Sequence, residues 1–248
     1  MNADDLSSSD GARRELAPHG KLRLAFPVGS ALYVTRDPAT GVLRGVSIDL
    51  GNALAARLGV PFQALPYGSV RELIDATGTG AWDVATLVME NGRRSILDYT
   101  RAYLEADSTY LVPAGSAIRA VADADKPGLR IGVAEKSAFD LFLSRTVHQA
   151  TLVRFQGVAA AFEGLRAGAC EMVAAPRQVL AAAQGRFPGS RILADWFDVA
   201  LVGVAVPKGR QAQGLAYLDR FLEEAIGSGW VAQAIARAGM QGVKVPSP

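Results

Sequence analysis

The same short pattern occurs once in each half of the chain, and it restricts the possible folds more than any other feature. A helix-stopping glycine, a small residue, an apolar residue, an acid and an apolar strand follow one another at residues 80–85 (GAWDVA) and 168–173 (GACEMV). Strand candidates at residues 22–26 and 129–133 open the two copies. Helix and strand patterns alternate in both halves, which indicates parallel sheets. We therefore predict two similar α/β lobes rather than one large sheet.

Two extended apolar stretches flank the second copy. They are residues 110–115 and 203–209, and both end in Val-Pro, one further residue and a glycine. We expect the chain to cross between the lobes at these stretches. Lobe 1 is then formed by residues 20–111 plus 207–248, and the inserted lobe 2 by residues 112–206.

The N-terminal segment differs in composition from the rest of the chain. Residues 1–17 are polar and rich in Ser and Asp, which predicts a disordered leader over residues 1–19. A secretory signal has a basic start and an apolar core, and this segment has neither. Either a signal lies outside this sequence or the protein stays in the cytoplasm.

Composition excludes several classes of protein. The 26 Lys and Arg against 24 Asp and Glu give a net charge of +2, so no nucleic-acid partner is expected. No apolar run approaches the roughly 18 to 20 residues that span a bilayer. Cys170 is the single cysteine, and His19 and His148 are far apart in sequence. We therefore expect no catalytic nucleophile pair, no metal site and no cofactor.

Two lobes joined by two crossings enclose a cleft, and ligands of α/β sheets bind beyond the carboxyl ends of the strands. Arg93 and Arg94 follow the strand candidate at residues 83–88. An arginine there can hold a carboxylate through two parallel hydrogen bonds. The alternative is a pair of arginines that only solvate a surface turn.

Two further strand ends carry candidate ligand-binding residues. Ser137 follows the strand at residues 131–133 and begins a helix, whose free N–H groups suit an anion; the alternative is an ordinary helix cap. Arg177 follows the strand at residues 170–175, and its alternative is an exposed arginine at a helix start.

Four segments together point to a known family. They are residues 45–50 (GVSIDL), residues 82–84 (WDV), Arg93 with Tyr99-Thr100 six residues later and Tyr103 beyond, and residues 203–209 (GVAVPKG). In order and spacing they resemble the motifs of family 3 of the periplasmic solute-binding proteins of ABC transporters. Those motifs are a Gly-Phe-x-x-Asp-Leu helix start, a Trp-Asp strand, an Arg before Phe-Ser/Thr, and a Gly-x-Ala-x-x-Lys-Gly return strand. The resemblance covers residues 21–239, and the family binds amino acids and related small polar solutes.

The resemblance implies a two-lobed periplasmic-binding-protein-like fold of type II, in which each lobe is a mostly parallel sheet flanked by helices and two crossover segments act as hinges. It places Arg93 as the clamp of the ligand carboxylate and Thr86 beside it in the pocket. Ser137 and Ala138 then cap the same carboxylate from lobe 2, and Ser30 adds a contact. It also implies a monomeric periplasmic receptor whose partners are the membrane subunits of an ABC permease.

One departure from the family concerns the ligand. Many amino-acid receptors of the family have an acid at the strand end that here reads Pro176-Arg177, and that acid pairs with the ligand ammonium. Burying an unpaired ammonium beside Arg177 would cost several kcal/mol. We therefore expect a small organic acid in preference to an ordinary α-amino acid.

Binding without chemistry is the preferred interpretation, so no enzyme activity is expected. One alternative is an enzyme similar to the family 3-like cyclohexadienyl dehydratases, with Glu90, Glu135 or Glu171 as its acid. Glu171 matches Asp83 in the repeated pattern, which favours a structural role for it. The other alternative is a cytoplasmic small-molecule sensor.

Overall fold

In a computed structural model of the protein, the described residues are 3–28, 32–37, 39–135, 137–209, 212–240 and 242–246; of residues 3–9 only the backbone is described. The chain divides into two units, Met1–Glu105 with Leu201–Pro248 (unit 1) and Ala106–Ala200 (unit 2). Both divisions fall inside long strands, a few residues before the predicted crossings. No helix in the described ranges is long and apolar enough to cross a membrane.

The first half of the chain builds most of unit 1. Its elements are α1 Ala3–Leu16, β1 Leu22–Pro27, β2 Thr35–Arg36, β3 Leu43–Arg44, α2 Val46–Leu58, β4 Phe62–Tyr67, α3 Val70–Asp75, β5 Val84–Val88, a short 3-10 helix Asn91–Arg93 and β6 Leu97–Val112. Strand β1 lies between β4 and β5 and is parallel to both. Local signals set these elements: Ser69 caps α3 by accepting a hydrogen bond from the Glu72 N–H (3.2 Å), as its spacing predicts.

The second half of the chain repeats that arrangement and then returns. The elements are a 3-10 helix Val121–Asp123, β7 Arg130–Ala134, α4 Ala138–Thr146, β8 Thr151–Phe155, α5 Val158–Arg166, β9 Met172–Pro176, α6 Arg177–Gln184, β10 Arg191–Ile192, β11 Asp198–Pro207, α7 Ala212–Gly227, α8 Trp230–Arg237 and β12 Val243–Lys244. Strand β7 lies parallel between β8 and β9. An antiparallel strand flanks the parallel strands of each unit, with β11 against β5 in unit 1 and β6 against β9 in unit 2.

The repeated sequence pattern corresponds to a repeated ion pair at the amino ends of the strands. Arg23 on β1 donates two hydrogen bonds to Asp83, at 2.8 and 2.7 Å. In unit 2, Arg130 on β7 binds Glu171 in the same way, at 3.2 and 2.5 Å. The backbone N–H of each acid donates to the carbonyl of its arginine. Each pair therefore holds two neighbouring parallel strands in register, and the predicted structural role of Glu171 is confirmed.

The disordered leader expected over residues 1–19 is wrong for residues 3–16, which form α1. Ala12 and Leu16 are fully buried, and the Glu15 carboxylate accepts a hydrogen bond from the Gly214 N–H of α7 (2.6 Å). A Cβ at Gly214 would lie 2.9 Å from Leu16 Cδ2, so the glycine permits the close approach of α1 and α7. The segment is polar on average, but packing of its few apolar residues against α7 stabilises it as a helix.

Cys170 lies in the core of unit 2, at the position that Trp82 holds in unit 1. Its sulfur would be 2.8 Å from a Cβ on Gly132, so the glycine of β7 makes room for it. Burial raises the pKa of the thiol to about 11. The residue therefore acts as a small apolar core side chain, as expected.

Asp83→Ala should destabilise the protein much more than Asp75→Ala. The first substitution leaves the partly buried guanidinium of Arg23 without its partner, which costs about 2 to 3 kcal/mol. Asp75 forms an exposed pair with Arg71 at 3.7 Å, so its loss should cost less than about 1 kcal/mol. Denaturant unfolding of both variants measures the difference, and equal losses would contradict the role assigned to the Arg23–Asp83 pair.

Cys170 should not react with Ellman's reagent at pH 8 while the protein is folded. With a pKa of about 11, roughly one thiol in a thousand is ionised at that pH, and the sulfur is buried besides. In guanidinium chloride the same sample should release one equivalent of chromophore, since the chain has a single cysteine. Rapid labelling of the native protein would contradict the burial.

Candidate functional site

The carboxyl end of β5 leads into a turn that carries opposite charges. Arg93 ends the 3-10 helix Asn91–Arg93, and its N–H donates to the Glu90 carbonyl (3.1 Å). The Arg93 guanidinium lies 3.3 Å from the Glu90 carboxylate, and 22% of the first side chain and 35% of the second are exposed. This is a loose, accessible ion pair, unlike the tight Arg23–Asp83 pair at the other end of the sheet.

Two tyrosines lie against this ion pair. The Tyr33 hydroxyl accepts a hydrogen bond from the Val88 N–H (3.1 Å), and burial raises its pKa to about 12, with Arg93 opposing the shift. Burial also raises the pKa of Tyr99, again against the charge of Arg93. Both phenols are therefore neutral at physiological pH. We call Tyr33, Glu90, Arg93 and Tyr99 the Arg93 cluster.

Arg94 has a different environment from its neighbour. It is exposed, its Nε donates to the side-chain oxygen of Asn91 (3.3 Å), and its guanidinium lies 5.8 Å from the centre of the Tyr99 ring. Its carbonyl accepts a hydrogen bond from Lys208 Nζ (2.7 Å). Lys208 thus stabilises the turn through the backbone of Arg94. Of the two arginines, Arg93 is the one that belongs to the Arg93 cluster.

Thr86, predicted to line the pocket, is completely buried in unit 1. Its hydroxyl lies 2.9 Å from the hydroxyl of Ser47 on α2. The hydroxyl of the fully buried Tyr103 lies beside both, and burial raises the pKa of that phenol. The Thr86 side chain therefore joins β5 to α2 and offers no exposed atom. Ser30, the predicted contact after β1, lies outside the described residues.

The helix start predicted to bind an anion is an ordinary cap in this structure. Ser137 accepts a hydrogen bond from the Asp140 N–H (3.1 Å) and donates one to the Ala134 carbonyl (2.7 Å). The carboxylate of Asp140 stands in the first turn of α4 and pairs with Arg154 at 3.0 Å. Ala138 is exposed and contributes a methyl group. An acid of the protein itself already occupies the favourable end of this helix dipole.

Arg177, predicted to bind the ligand, is paired within unit 2. Its Nε donates to the Asp107 carboxylate (2.7 Å), and its terminal nitrogens donate to the carbonyls of Leu193 (2.7 Å) and Ala194 (3.0 Å). Asp107 lies on β6, so the pair joins two elements of unit 2. Because the charge of Arg177 is compensated, this residue gives no electrostatic reason to exclude a ligand amine.

The three glutamates considered as catalytic acids differ in their partners. Hydrogen bonds from Arg130 lower the pKa of Glu171, which keeps it ionised and unsuited to donate a proton. Glu135 is exposed and accepts a hydrogen bond from Gln156 (2.8 Å). Glu90 belongs to the Arg93 cluster. Within the described ranges, no group of three or more His, Cys, Asp or Glu side chains is placed to hold a metal ion.

Reasoning from sequence missed Tyr33 and Asp107. Tyr33 lies in an irregular segment between β1 and β2, where periodicity gives no signal. Asp107 had a usable signal, since it is an acid shortly before the apolar residues 110–112 of β6. A charged residue in a buried strand normally has a partner, and here that partner is Arg177.

Comparison with known proteins identifies the family of this chain, and it finds the same fold in solved structures. The family model for bacterial extracellular solute-binding proteins, family 3, matches residues 22–239. The glutamine-binding protein of Geobacillus stearothermophilus is 22% identical over 208 residues, which cover 82% of this chain and 79% of that protein.

Two solved structures show the likeness in three dimensions. A binding component of an ABC transporter from Wolinella succinogenes, complexed with lysine, has 21% identity and a TM-score of 0.76, covering 88% of this chain and 95% of that one. An ancestral amino-acid-binding protein, a precursor of cyclohexadienyl dehydratase, has 22% identity and a TM-score of 0.73, covering 92% and 98%. These likenesses confirm the predicted periplasmic-binding-protein-like α/β fold. Since the family model spans most of the sequence, the chain belongs to family 3 of the bacterial extracellular solute-binding proteins.

Proposed function

We propose that the protein is the solute-binding receptor of an ABC-type uptake system and that Arg93 binds the carboxylate of a small solute. The observation that carries the proposal is how loosely the Arg93 guanidinium is paired within the protein. Arg23, Arg130 and Arg177 each donate two or more short hydrogen bonds to partners in their own unit. Among the described residues, the ion-pair partner of Arg93 is Glu90, at 3.3 Å. A guanidinium at a strand end whose described ion-pair partner is this loose suits a bidentate carboxylate.

The proposed partners of the receptor are inferred from its family and not from the geometry of the site. The receptor delivers its solute to the membrane subunits of a permease, outside the cytoplasmic membrane, and it acts as a monomer. The family's description as extracellular and the ABC transporter origin of the Wolinella protein support this. We propose no enzyme activity, since Glu171 is held ionised by Arg130 and the likeness to the dehydratase precursor is one of fold.

The other predicted contacts remain predictions and do not carry the proposal. They are Ser30, Thr86, Ser137, Ala138 and Arg177. The polar side-chain groups of Thr86, Ser137 and Arg177 are already bonded within their own units. The preference for an organic acid over an amino acid also remains a prediction, but the Asp107 pair removes its electrostatic basis.

The ligand class is tested by a thermal-shift screen of amino acids, monocarboxylates, dicarboxylates and aromatic acids. A ligand that binds the native state raises the melting temperature by mass action. Mass analysis of the stabilising compound after incubation should recover it unchanged. Recovery of a new product would contradict a receptor without catalysis.

Arg93→Ala should weaken binding of the screened ligand by about 100-fold or more, because it removes two charge-assisted hydrogen bonds. Arg94→Ala is the matched control, since it deletes an equal charge from the adjacent, exposed position. It should change affinity by less than about threefold. Titration calorimetry measures both, and circular dichroism checks that both variants fold. Retained affinity in folded Arg93→Ala would refute the proposal.

A further inference from the structure

Three helices of unit 1 leave an open-sided cavity between them, which we call the helix-junction cavity. Its volume is about 300 Å³, and residues of α2, α7 and α8 line it. Ala53 on α2 and Ala225 on α7 are part of this lining, and two alanines leave space that larger side chains would fill at a helix junction. The volume is at the lower end of the range for small-molecule sites.

The local sequence brings two aromatic side chains to this cavity. Phe221 and Ala225 are one turn apart on α7, so they lie on the same face of that helix. Gly229 has a left-handed φ of 76°, and the sharp turn that it permits places Trp230, the first residue of α8, beside the same cavity. The rings of Phe221 and Trp230 supply flat apolar surface, which suits an aromatic ligand.

The charges in the lining are paired with each other. Arg57 donates two hydrogen bonds to the carboxylate of Glu224, and its guanidinium lies 5.7 Å from the centre of the Tyr217 ring and 5.8 Å from that of Phe221. An anionic ligand would approach the charge of Glu224, and a cationic ligand would approach that of Arg57. The lining therefore favours a neutral ligand.

The polar groups of the lining beside Arg57 offer hydrogen-bond acceptors. Hydrogen bonds from Arg57 lower the pKa of Glu224, so its carboxylate is ionised and only accepts, and it has lone pairs beyond those that Arg57 uses. The Ser228 hydroxyl donates to the Ala225 carbonyl (3.3 Å), which leaves its oxygen to accept. Both groups suit a ligand that carries an N–H or O–H donor.

We infer that the helix-junction cavity is a second ligand site and that it takes a neutral aromatic compound with one N–H or O–H donor, of the indole or phenol class. The inference goes beyond the proposed function, because such a ligand has no carboxylate and does not use Arg93.

The test titrates indole and phenol into the full chain, with calorimetry for affinity and nuclear magnetic resonance of the tryptophan side-chain N–H groups for location. The chain has three tryptophans, and the signal of Trp230 is the one that Trp230→Phe removes. Both compounds should bind with a Kd of about 1 mM or lower. They should shift the Trp230 signal and leave those of Trp82 and Trp196 in place. The analogues without a donor, 1-methylindole and anisole, should bind about three- to tenfold more weakly.

Ala53→Leu fills the cavity and should weaken indole binding by about tenfold or more. Ala56→Leu is the matched control, since it makes the same change on the exposed side of α2, and it should alter affinity by less than about twofold. Arg93→Ala should also leave indole binding unchanged. Circular dichroism checks that each variant folds. The Trp230 signal of the native protein reports the site without any change to the lining.

Each other outcome overturns the inference in a recognisable way. Absence of binding of either compound at about 10 mM would refute the site and leave the proposed role of Arg93 untouched. Full affinity in folded Ala53→Leu, or a shift confined to Trp196, would place the ligand elsewhere. Loss of indole binding in Arg93→Ala would place it in the solute site. Equal affinity for 1-methylindole would refute the donor requirement. A dimer that forms with rising protein concentration and is abolished by Ala53→Leu would make a second copy of the chain the occupant.

Discussion

The bidentate pairs Arg23–Asp83 and Arg130–Glu171 are the interactions on which both units depend. Each joins the amino ends of two parallel strands, and each is reinforced by a backbone hydrogen bond between the same two residues. At that end of each sheet the charges are thus paired tightly within the protein. The carboxyl end of β5 is different, since the Glu90–Arg93 pair there is longer and exposed. Tight pairing where the strands begin holds neighbouring strands together, and in unit 1 a loosely paired arginine lies beyond the end of β5.

Sequence reasoning predicted the α/β repeat because the relevant signals are local. The glycine that follows α5, Gly168, and the cap of α3 by Ser69 depend on residues a few positions apart, and both are present in the structure. Gly80 is an exception, since α3 already ends at Asp75. The equivalence of Asp83 and Glu171 was also visible as a repeated pattern. The arginine partners of these two acids were not visible in the sequence, because the pairing of Asp83 with Arg23 depends on which strands are neighbours in the sheet.

The errors have the same cause. The N-terminal segment is polar on average, but α7 covers Ala12 and Leu16, and tertiary contact orders what composition alone would leave unfolded. The pairing of Arg177 was missed because its counter-ion, Asp107, is 70 positions away in sequence. Which residue each of them contacts cannot be read from the local pattern. Arg93 was singled out because its signal, an arginine in the turn after a buried strand, is local.

The charge of a binding site is the charge that remains after the protein has paired its own groups. Counted as residue types, Arg93 and Arg177 are two cations at strand ends. Counted as pairs, Arg177 with Asp107 and Arg93 with Glu90 are each neutral. The Arg177–Asp107 pair is tight and uses its donors within unit 2, whereas the Glu90–Arg93 pair is loose. Because its pairing is loose, the Arg93 guanidinium meets the requirement of the proposed carboxylate clamp, whereas the guanidinium of Arg177 is already occupied within unit 2.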